Sequence, residues 1–532
     1  MRRTKAVAAV LATVVLAAGC GGAAESDTGG VSTESLMMGT PVIPQSLIPT
    51  SDPTVTQTMS IQYGETLLNY AEQPAGDSQI NDPEKNSPGL AEKFERTPEG
   101  IVYTLRDNES SAGNKLDADD VIFTYERMVA TKDPIGTFVM TVSGMDMANP
   151  VTKIDDKTVR LNGSNTPMGL LAAIFPYMMV LDKELVEKNA TAEDKWATDF
   201  TRTNSASFGP YDIKNFRPGE QMVLQANEKY WEGAPAFKTV TLLATATQQV
   251  TQLVKAGTVQ WASSVPNSSY AELKDDPNLH STVSVTNVQN VLQLNETNVP
   301  ALKDPNVRKA ISKAIDRDKL ASLVYNGVAK PAKGPVSSAT PGLTNVKSDN
   351  YDFDLKAAQD LMAKSEFKDG FQLEIATSKQ SIKRIDPATL AVSLREMLSP
   401  LKIEVSVREV ANHAEFQAAL SNRQYGAYLS SEGAAIADIA YGMSTYHVTT
   451  TTQNYTKHGS PELDAAIAAA SKAPVGAERD ALSAKAVELF NEQMYSVPLV
   501  DESDAYVANK GICGFGTYPY MAVSAGKLKP CA

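Results

Sequence analysis

Residues 116–127 read Leu116-Asp117-Ala118-Asp119-Asp120-Val121-Ile122-Phe123-Thr124-Tyr125-Glu126-Arg127, the clearest structural pattern in this chain of 532 residues. Asp117 is a favourable N-cap, and acids at Asp119 and Asp120 suit the positive end of a helix dipole. The pattern therefore predicts a helix from Ala118 to Val129. We expect the three aspartates to cap this helix rather than to bind a metal ion.

Strand-like and helix-like stretches alternate on both sides of this helix. Period-two or short apolar runs predict strands at 101–105, 159–161, 223–225 and 403–407. Apolar residues at helical spacing predict helices at 307–325, 463–470 and 479–494. Such alternation in a long chain predicts an α/β protein with several lobes, because one ordinary core does not grow to this size.

Several short motifs occur in a characteristic order along the chain. They are Pro88-Gly89-Leu90-Ala91-Glu92, Tyr103-Thr104-Leu105-Arg106, the stretch 116–127, Gly209-Pro210-Tyr211, Asn227-Glu228-Lys229-Tyr230-Trp231, Leu294-Asn295, Val307-Arg308-Lys309-Ala310-Ile311 with Ala314-Ile315-Asp316-Arg317, and Ser460-Pro461-Glu462-Leu463-Asp464. Together they resemble the bacterial extracellular solute-binding proteins of family 5, which serve oligopeptide, dipeptide, nickel and related ABC importers. The resemblance runs from about Leu36 to Val500.

The resemblance implies a periplasmic-binding-protein-like type II fold, with two ligand-gripping lobes, a hinge and an extra small domain. Lobe I would comprise residues 36–66, 200–293 and 498–532, and lobe III residues 294–497. An accessory domain II would span residues 67–199. The hinge is expected where the chain crosses between lobes, near Gln293–Asn295 and Tyr495–Val500.

The N-terminus predicts export and membrane anchoring. Three cations precede a short apolar run that ends in Leu16-Ala17-Ala18-Gly19-Cys20. This pattern is typical of a signal peptide over residues 1–19, and it resembles a lipobox in which Cys20 receives the lipid. A plain secretory signal is the alternative. Residues 20–35 then read as a flexible tether to the outer face of the cytoplasmic membrane.

Charge and cysteine content restrict the function further. The net charge of −13 opposes binding to nucleic acid, whose phosphates attract basic surfaces. Apart from Cys20, the chain contains only Cys513 and Cys531. In an oxidising compartment these two favour one disulfide, with a pair of free thiols as the alternative.

The ligand-binding candidates come mostly from the resemblance. Lys383-Arg384-Ile385-Asp386-Pro387 resembles the segment that supplies the carboxylate-binding cation in dipeptide binders, so Arg384 is the first candidate and Lys383 the second. A solvated pair of loop cations is the alternative interpretation. Where relatives carry an acid for the peptide amine, this chain has Ala434, with Glu432 and Asp438 nearby as substitutes. Tyr441 and Tyr446 could add stacking or hydroxyl contacts.

This departure at Ala434 favours a ligand with a blocked, cyclic or partly apolar end. A nickel or other metal-chelate receptor is the alternative within the family, because folding could bring His447 and His458 together. A cell-surface hydrolase is a remote alternative, since none of the common catalytic motifs occurs. We therefore expect no catalysis, no cofactor and no metal site of the protein's own. The expected partners are a small peptide-like ligand and the permease and ATPase subunits of an importer, and the protein is expected to be monomeric.

Overall fold

The computed structural model describes residues 32–48, 59–69, 86–163, 165, 167–246, 249–382, 385–434, 438–474, 476–514 and 523–531. Within these ranges we number the strands in chain order. They are β1 Ser35–Thr40, β2 Leu68–Asn69, β3 Ser87–Pro88, β4 Ala91–Thr97, β5 Gly100–Leu105, β6 Val151–Asp155, β7 Thr158–Asn162, β8 Tyr211–Arg217, β9 Gln221–Ala226, β10 Thr239–Ala244, β11 Trp261–Ala262, β12 Leu279–Leu294, β13 Lys330–Pro331, β14 Phe371–Thr377, β15 Ile403–Glu409, β16 Ala427–Gly433, β17 Ser496–Asn509, β18 Ile512–Cys513 and β19 Lys529–Pro530.

The α-helices lie between and around these strands. They are Ala118–Ala130, Pro134–Val142, Leu171–Ile174, Lys183–Lys188, Thr198–Thr201, Val250–Lys255, Asn267–Leu273, Pro305–Ala314, Arg317–Lys319, Leu355–Ala363, Pro387–Leu398, His413–Ser421, Ile439–Tyr446, Pro461–Lys472 and Ala477–Gln493. None of the helices in the described ranges is both long and apolar enough to cross a membrane.

One large sheet runs through most of the molecule, in the order β15-β14-β16-β12-β17-β11-β1-β10-β9-β8, with β13 also paired to β17. We call β1 and β8–β11 the first half-sheet and β14–β16 the second half-sheet. The long antiparallel strands β12 and β17 join the two halves. Separate buried apolar clusters pack against the two halves, so each half has its own core.

A smaller unit carries the four-stranded sheet β4-β5-β7-β6 and the helix Ala118–Ala130. The predicted helix is confirmed. Asp117 accepts hydrogen bonds from the backbone N–H groups of Asp119 and Asp120, and the Asp120 side chain accepts one from the Asp117 N–H. This reciprocal capping box explains why the helix begins at Ala118. The strand predicted at 101–105 is β5, in which Ile101, Tyr103 and Leu105 are buried.

The predicted helix at 307–325 is wrong as a single element. A helix ends at Ala314, Ile315 is extended with φ −91° and ψ 112°, and Asp316 caps a new short helix by accepting from the Lys319 N–H. The helical spacing of apolar residues continues across the break, and apolar residues on both sides of it are buried in the same core. Periodicity alone therefore could not locate the break, whereas the N-cap at Asp316 marks it.

Near the C-terminus, Cys513 and Cys531 form a disulfide with an S–S distance of 2.02 Å. The bridge lies beside the short antiparallel pair β18–β19. It closes a loop with a sequence separation of 18 residues, and the nearby Ile512 and Leu528 pack into the core of the first half-sheet.

Replacing both cysteines by serine is expected to lower the free energy of unfolding by about 3 kcal/mol, because a closed loop of this length restricts the unfolded chain. Chemical denaturation of the wild type and the double variant measures the difference. A reducing agent should destabilise the wild type and leave the double variant unchanged. A difference below about 0.5 kcal/mol would contradict a stabilising role for the bridge.

Candidate functional site

The first half-sheet presents the carboxyl ends of its parallel strands at one edge. β1 pairs in parallel with β10 and with β11. These strands end at Thr40, Ala244 and Ala262. Open α/β sheets bind ligands in the crevice outside the carboxyl ends of their strands, so this edge is one candidate wall of a binding site.

The second half-sheet has the same arrangement. β14 pairs in parallel with both β15 and β16, and the three strands end at Thr377, Glu409 and Gly433. The segments that follow β14 and β16 contain most of the predicted ligand-binding residues, and Glu432 lies near the end of β16 itself. This edge is therefore the second candidate wall.

The pairing register shows that the two walls face each other. Ala262 of β11 lies opposite Val507, and the following chain continues toward lower numbers of β17, because the Val265 N–H donates to the Ala505 carbonyl at 3.0 Å. From the other side, Gly433 of β16 lies opposite Val288 of β12. Both carboxyl edges therefore point toward the middle of the β12–β17 ladder.

That middle section is irregular. Val285 pairs with Ser503 and Gln289 pairs with Asp501, so four residue steps along β12 correspond to only two steps along β17. The extra backbone is held by Thr286, whose hydroxyl donates to the Glu502 carbonyl at 3.0 Å. Irregular strand pairing at such a position bends the chain and commonly lies next to a functional site. It lies on the N-terminal side of the hinge segment predicted at Gln293–Asn295, and it marks the floor of the crevice.

Asp501 connects this floor to the second lobe, by which we mean the second half-sheet and the chain packed on it. Its carboxylate is fully buried and accepts hydrogen bonds from Gln289 Nε2 at 2.8 Å and from the Ser338 N–H at 2.9 Å. Burial raises the pKa of Asp501 to about 6. These hydrogen bonds connect β17, β12 and the loop after β13. Polar contacts, rather than apolar packing, therefore hold this part of the floor together.

On the second wall, the loop after β14 is fixed by small polar side chains. Ser378 Oγ lies 2.8 Å from His413 Nδ1, at the first turn of the helix after β15. The Ser431 N–H of β16 donates to the Ser381 carbonyl at 3.0 Å. Sequence reasoning did not select Ser378 or His413. The signal that could have found them is their position shortly after β14 and β15, of which the sequence predicted only β15.

Lys383 and Arg384, the predicted carboxylate-binding cations, lie outside the described residues, so their role stays a prediction. Ile382 is buried in the apolar core of the second lobe and Ile385 packs against the same core. Both flanking residues are thus anchored in the core of this lobe.

Asp438 is engaged within the protein. It caps the helix Ile439–Tyr446 by accepting from the Tyr441 N–H at 2.8 Å. Both of its oxygens also lie 2.8 Å from Nη2 of Arg479, which is almost completely buried. A ligand amine would have to compete with this ion pair.

Glu432 points into the second lobe. It is 7% exposed, Gln293 Nε2 donates to it, and His447 Nε2 lies 3.9 Å from its Oε2. Burial raises the pKa of Glu432 to about 8. The side chain is therefore mostly a neutral carboxylic acid at pH 7.

The two tyrosine candidates also have protein contacts. Tyr446 Oη donates to the Gly433 carbonyl and accepts from the Gly433 N–H, both at 3.0 Å, which fixes the end of β16. Tyr441 is buried in an apolar cluster that consists mainly of residues from the smaller unit. Ala434 belongs to the same cluster. The second wall and the smaller unit are thus in contact at this point.

Folding does bring His447 and His458 together, with His447 Nδ1 at 3.2 Å from His458 Nε2. His447 Nε2 lies 3.0 Å from the Pro335 carbonyl, which can only accept, so this nitrogen carries the proton. His447 Nδ1 then accepts from His458 Nε2, and His458 Nδ1 accepts from the Thr456 hydroxyl. Burial lowers the pKa of His447 to about 4 and also lowers that of His458.

The histidine pair is therefore an internal chain of hydrogen bonds between neutral rings. Each ring nitrogen already has a partner, so neither histidine offers a spare lone pair to a metal. Within the described ranges, no group of three or more His, Cys, Asp or Glu side chains is arranged to hold a metal ion.

Glu432→Gln is expected to change how stability depends on pH. The folded-state pKa of about 8 lies above the ordinary value of 4.5, so the stabilising contribution of protonated Glu432 is complete below pH 4.5 and is lost as pH rises to 8. The free energy of unfolding of the wild type, minus that of E432Q, should fall by about 1.4 kcal/mol per pH unit between pH 5 and 8. Denaturation series over this range measure the slope, and a flat difference would contradict the buried neutral acid.

These features define a class of protein before any comparison is made: two α/β lobes, joined by two crossing strands, with the carboxyl edges of their sheets facing each other. This is the type II periplasmic-binding-protein fold. Residues 85–454 match the sequence model of the bacterial extracellular solute-binding proteins, family 5 Middle, and the chain belongs to that family. Its members are transport receptors rather than enzymes, so the hydrolase alternative is discarded.

Relatives of known function are distant in sequence. The chain is 22% identical over 467 residues to Di/tripeptide-binding protein 2 of Pseudomonas aeruginosa, covering 83% of this chain and 86% of that protein. It is 24% identical over 306 residues to the Dipeptide-binding protein of Escherichia coli, covering 54% of this chain and 56% of that protein.

Solved structures share the fold over nearly the whole chain. HbpA2 from Haemophilus parasuis matches with a TM-score of 0.79 at 20% identity, over 94% of this chain and 100% of that one. The periplasmic binding protein DppA from Helicobacter pylori, in complex with the peptide STSA, matches with a TM-score of 0.70 at 19% identity, over 93% and 98%. At these identities the similarity establishes the fold alone.

Proposed function

We propose that this protein is a lipid-anchored receptor of an ABC importer that captures a small peptide or peptide-like solute between its lobes. The observation that carries the proposal is the pair of facing carboxyl edges above the irregular β12–β17 crossing. Membership of the solute-binding family supports it. So do the relatives named for di- and tripeptide binding.

Each predicted domain has its own role in this proposal. Lobe I (residues 36–66, 200–293 and 498–532) and lobe III (294–497) grip the solute, and domain II (67–199) packs beside them. Ligand stabilises the closed arrangement of the lobes, and a membrane permease with its ATPase distinguishes the closed form from the open one. The receptor works on the outer face of the cytoplasmic membrane.

The side chains at the second wall restrict the ligand. Arg384, with Lys383 beside it, is the proposed partner of an anionic ligand end. At the opposite end, Asp438 is already paired with Arg479 and Glu432 is a buried neutral acid. A ligand whose amino end is blocked, cyclic or apolar therefore suits this wall better than one with a free amine.

Thermal unfolding in the presence of short peptides tests the proposed function. A ligand at a hundredfold excess over its Kd stabilises the folded state by about 2.7 kcal/mol, which raises the melting temperature measurably. A pool of di- to tetrapeptides and the same pool after N-acetylation are the probes. We expect stabilisation by both, and more by the acetylated pool. No stabilisation by either pool would overturn a peptide-binding function.

Cys20→Ser is expected to release the protein from the membrane, because the lipid acceptor is lost while the signal for export remains. Cell fractionation and detection of the chain in the membrane and soluble fractions measure the effect. Ser26→Ala, in the predicted tether, is the matched control and should leave the protein in the membrane fraction. Continued membrane association of the Cys20→Ser variant would refute the proposed lipid anchor.

A further inference from the structure

Trp261 carries an unexplained buried donor. It opens the short strand β11, is 2% exposed, and its ring centroid lies 5.7 Å from that of Tyr506 on β17. Its indole Nε1 has no hydrogen-bond acceptor among the residues that the structure describes. Buried indole N–H groups usually find an acceptor, and leaving one unpaired destabilises the folded state.

Trp261 lies near the carboxyl edge of the first half-sheet, and this position links its unpaired N–H to the crevice. β11 is one of the strands whose carboxyl ends form the first wall of the crevice. Trp261 packs on β17, one of the two crossing strands, so its ring is fixed by the framework rather than by a loop. Trp261 also belongs to the buried apolar core of the first half-sheet, so a ligand can meet its N–H only through a cavity that reaches this donor.

A small cavity lies at the same edge. Its volume is about 10 Å³, and its lining includes Trp261, Thr40 at the end of β1, Ser263 directly after β11, and Gln62. A cavity of this size accommodates roughly one water-sized group. Gln62 is already committed, because its Nε2 donates to the Val523 carbonyl and its Oε1 accepts from the Ala525 N–H.

The side chains that line the cavity determine which chemical group fits inside it. The remaining polar groups are the Trp261 N–H and the hydroxyls of Thr40 and Ser263, and the described lining contains no charged side chain. A carboxylate would lose its hydration here without gaining a cation, whereas a neutral oxygen needs only the donors present. The set therefore fits a carbonyl, amide or hydroxyl oxygen.

We propose that Trp261, Thr40 and Ser263 form a specificity subsite on the first wall that accepts one neutral oxygen of the solute, such as a main-chain carbonyl of a peptide-like ligand. The subsite rests on the proposed function, because it needs a solute in the crevice. It complements the second wall, where Arg384 is proposed to take the anionic end.

Trp261→Phe tests the subsite because it removes the N–H and keeps an aromatic ring against Tyr506. Binding of the N-acetylated di- to tetrapeptide pool, followed by calorimetry, should weaken about tenfold, as expected for one lost hydrogen bond with its unpaired partner. Trp231→Phe is the matched control. Trp231 Nε1 also lacks an acceptor among the described residues, but this ring stacks under Arg106 at 3.5 Å in another part of the lobe. The affinity of Trp231→Phe for the peptide pool should equal that of the wild type.

A second measurement follows binding in the wild-type protein and uses the variants only to assign signals. The wild-type chain contains three tryptophans, so ¹⁵N labelling gives three indole N–H signals that the single variants assign. Adding the pool should shift the Trp261 signal downfield and leave the Trp231 signal in place. Binding of the pool without that shift, or with equal affinity in Trp261→Phe, would overturn the subsite alone. A wild-type protein that binds nothing from the pool would overturn the proposed function and the subsite with it.

Discussion

Arg479→Met is expected to lower the free energy of unfolding by about 3–5 kcal/mol, because it leaves the Asp438 carboxylate buried without its counter-charge. The Arg479 and Asp438 side chains are 5% and 13% exposed. Arg479 Nη1 also donates to the Ala470 and Ala473 carbonyls at the end of a neighbouring helix. One guanidinium thus joins three helices next to the proposed crevice.

The control for this prediction lies on the same helix, Ala477–Gln493. Lys485 pairs with Glu488 at 3.9 Å, but both side chains are more than half exposed. Lys485→Met should therefore change stability by less than about 1 kcal/mol. Urea denaturation of both variants measures the two effects. A loss below 1 kcal/mol for Arg479→Met would show that the pair is not the connection described above, and Asp438 would again be available to a ligand.

Arg384→Ala is expected to weaken binding of a solute with a free carboxylate by about a hundredfold. A charge-assisted hydrogen bond to a ligand carboxylate, once truncated, typically costs 2–5 kcal/mol. The flanking residues Ile382 and Ile385 pack on the core of the second lobe, so the change should leave the fold intact. Calorimetry with the N-acetylated peptide pool measures the loss.

The controls separate a specific contact from general electrostatics. Arg395 is an exposed cation on the nearby helix Pro387–Leu398, and Arg395→Ala should leave the affinity unchanged. C-terminally amidated peptides should be insensitive to Arg384→Ala, because they lack the carboxylate. Unchanged binding of the free acids to Arg384→Ala would remove Arg384 from the site.

Local features of the chain could be predicted from its sequence where neighbours along the chain determine them. The capping box at Asp117 and Asp120 involves residues three positions apart, and the strand pattern of β5 needs only alternation. The break at Ile315 was missed because apolar spacing continues through it. The family motifs supplied the fold, since their order over hundreds of residues is far more specific than any single pattern.

The details of the site depend on contacts that no local pattern reveals. Asp438 meets Arg479 from 41 residues away, and Trp261, near the middle of the chain, meets Tyr506 near its C-terminal end. Glu432 was a candidate because it lies near Ala434, where relatives carry an acid, and its register in β16 brings it close to Gln293 and His447. Predicting these roles requires the pairing register, which the sequence does not specify by itself.

Native mass spectrometry of the protein purified from its own host, without refolding, tests the central claim most directly. We predict one small molecule bound per chain, which fragments as a short peptide or a peptide with a blocked amino end and is lost on unfolding. A co-purified metal chelate or a solute without peptide bonds would contradict the peptide assignment. The fold and the facing walls of the crevice would then serve a different class of ligand.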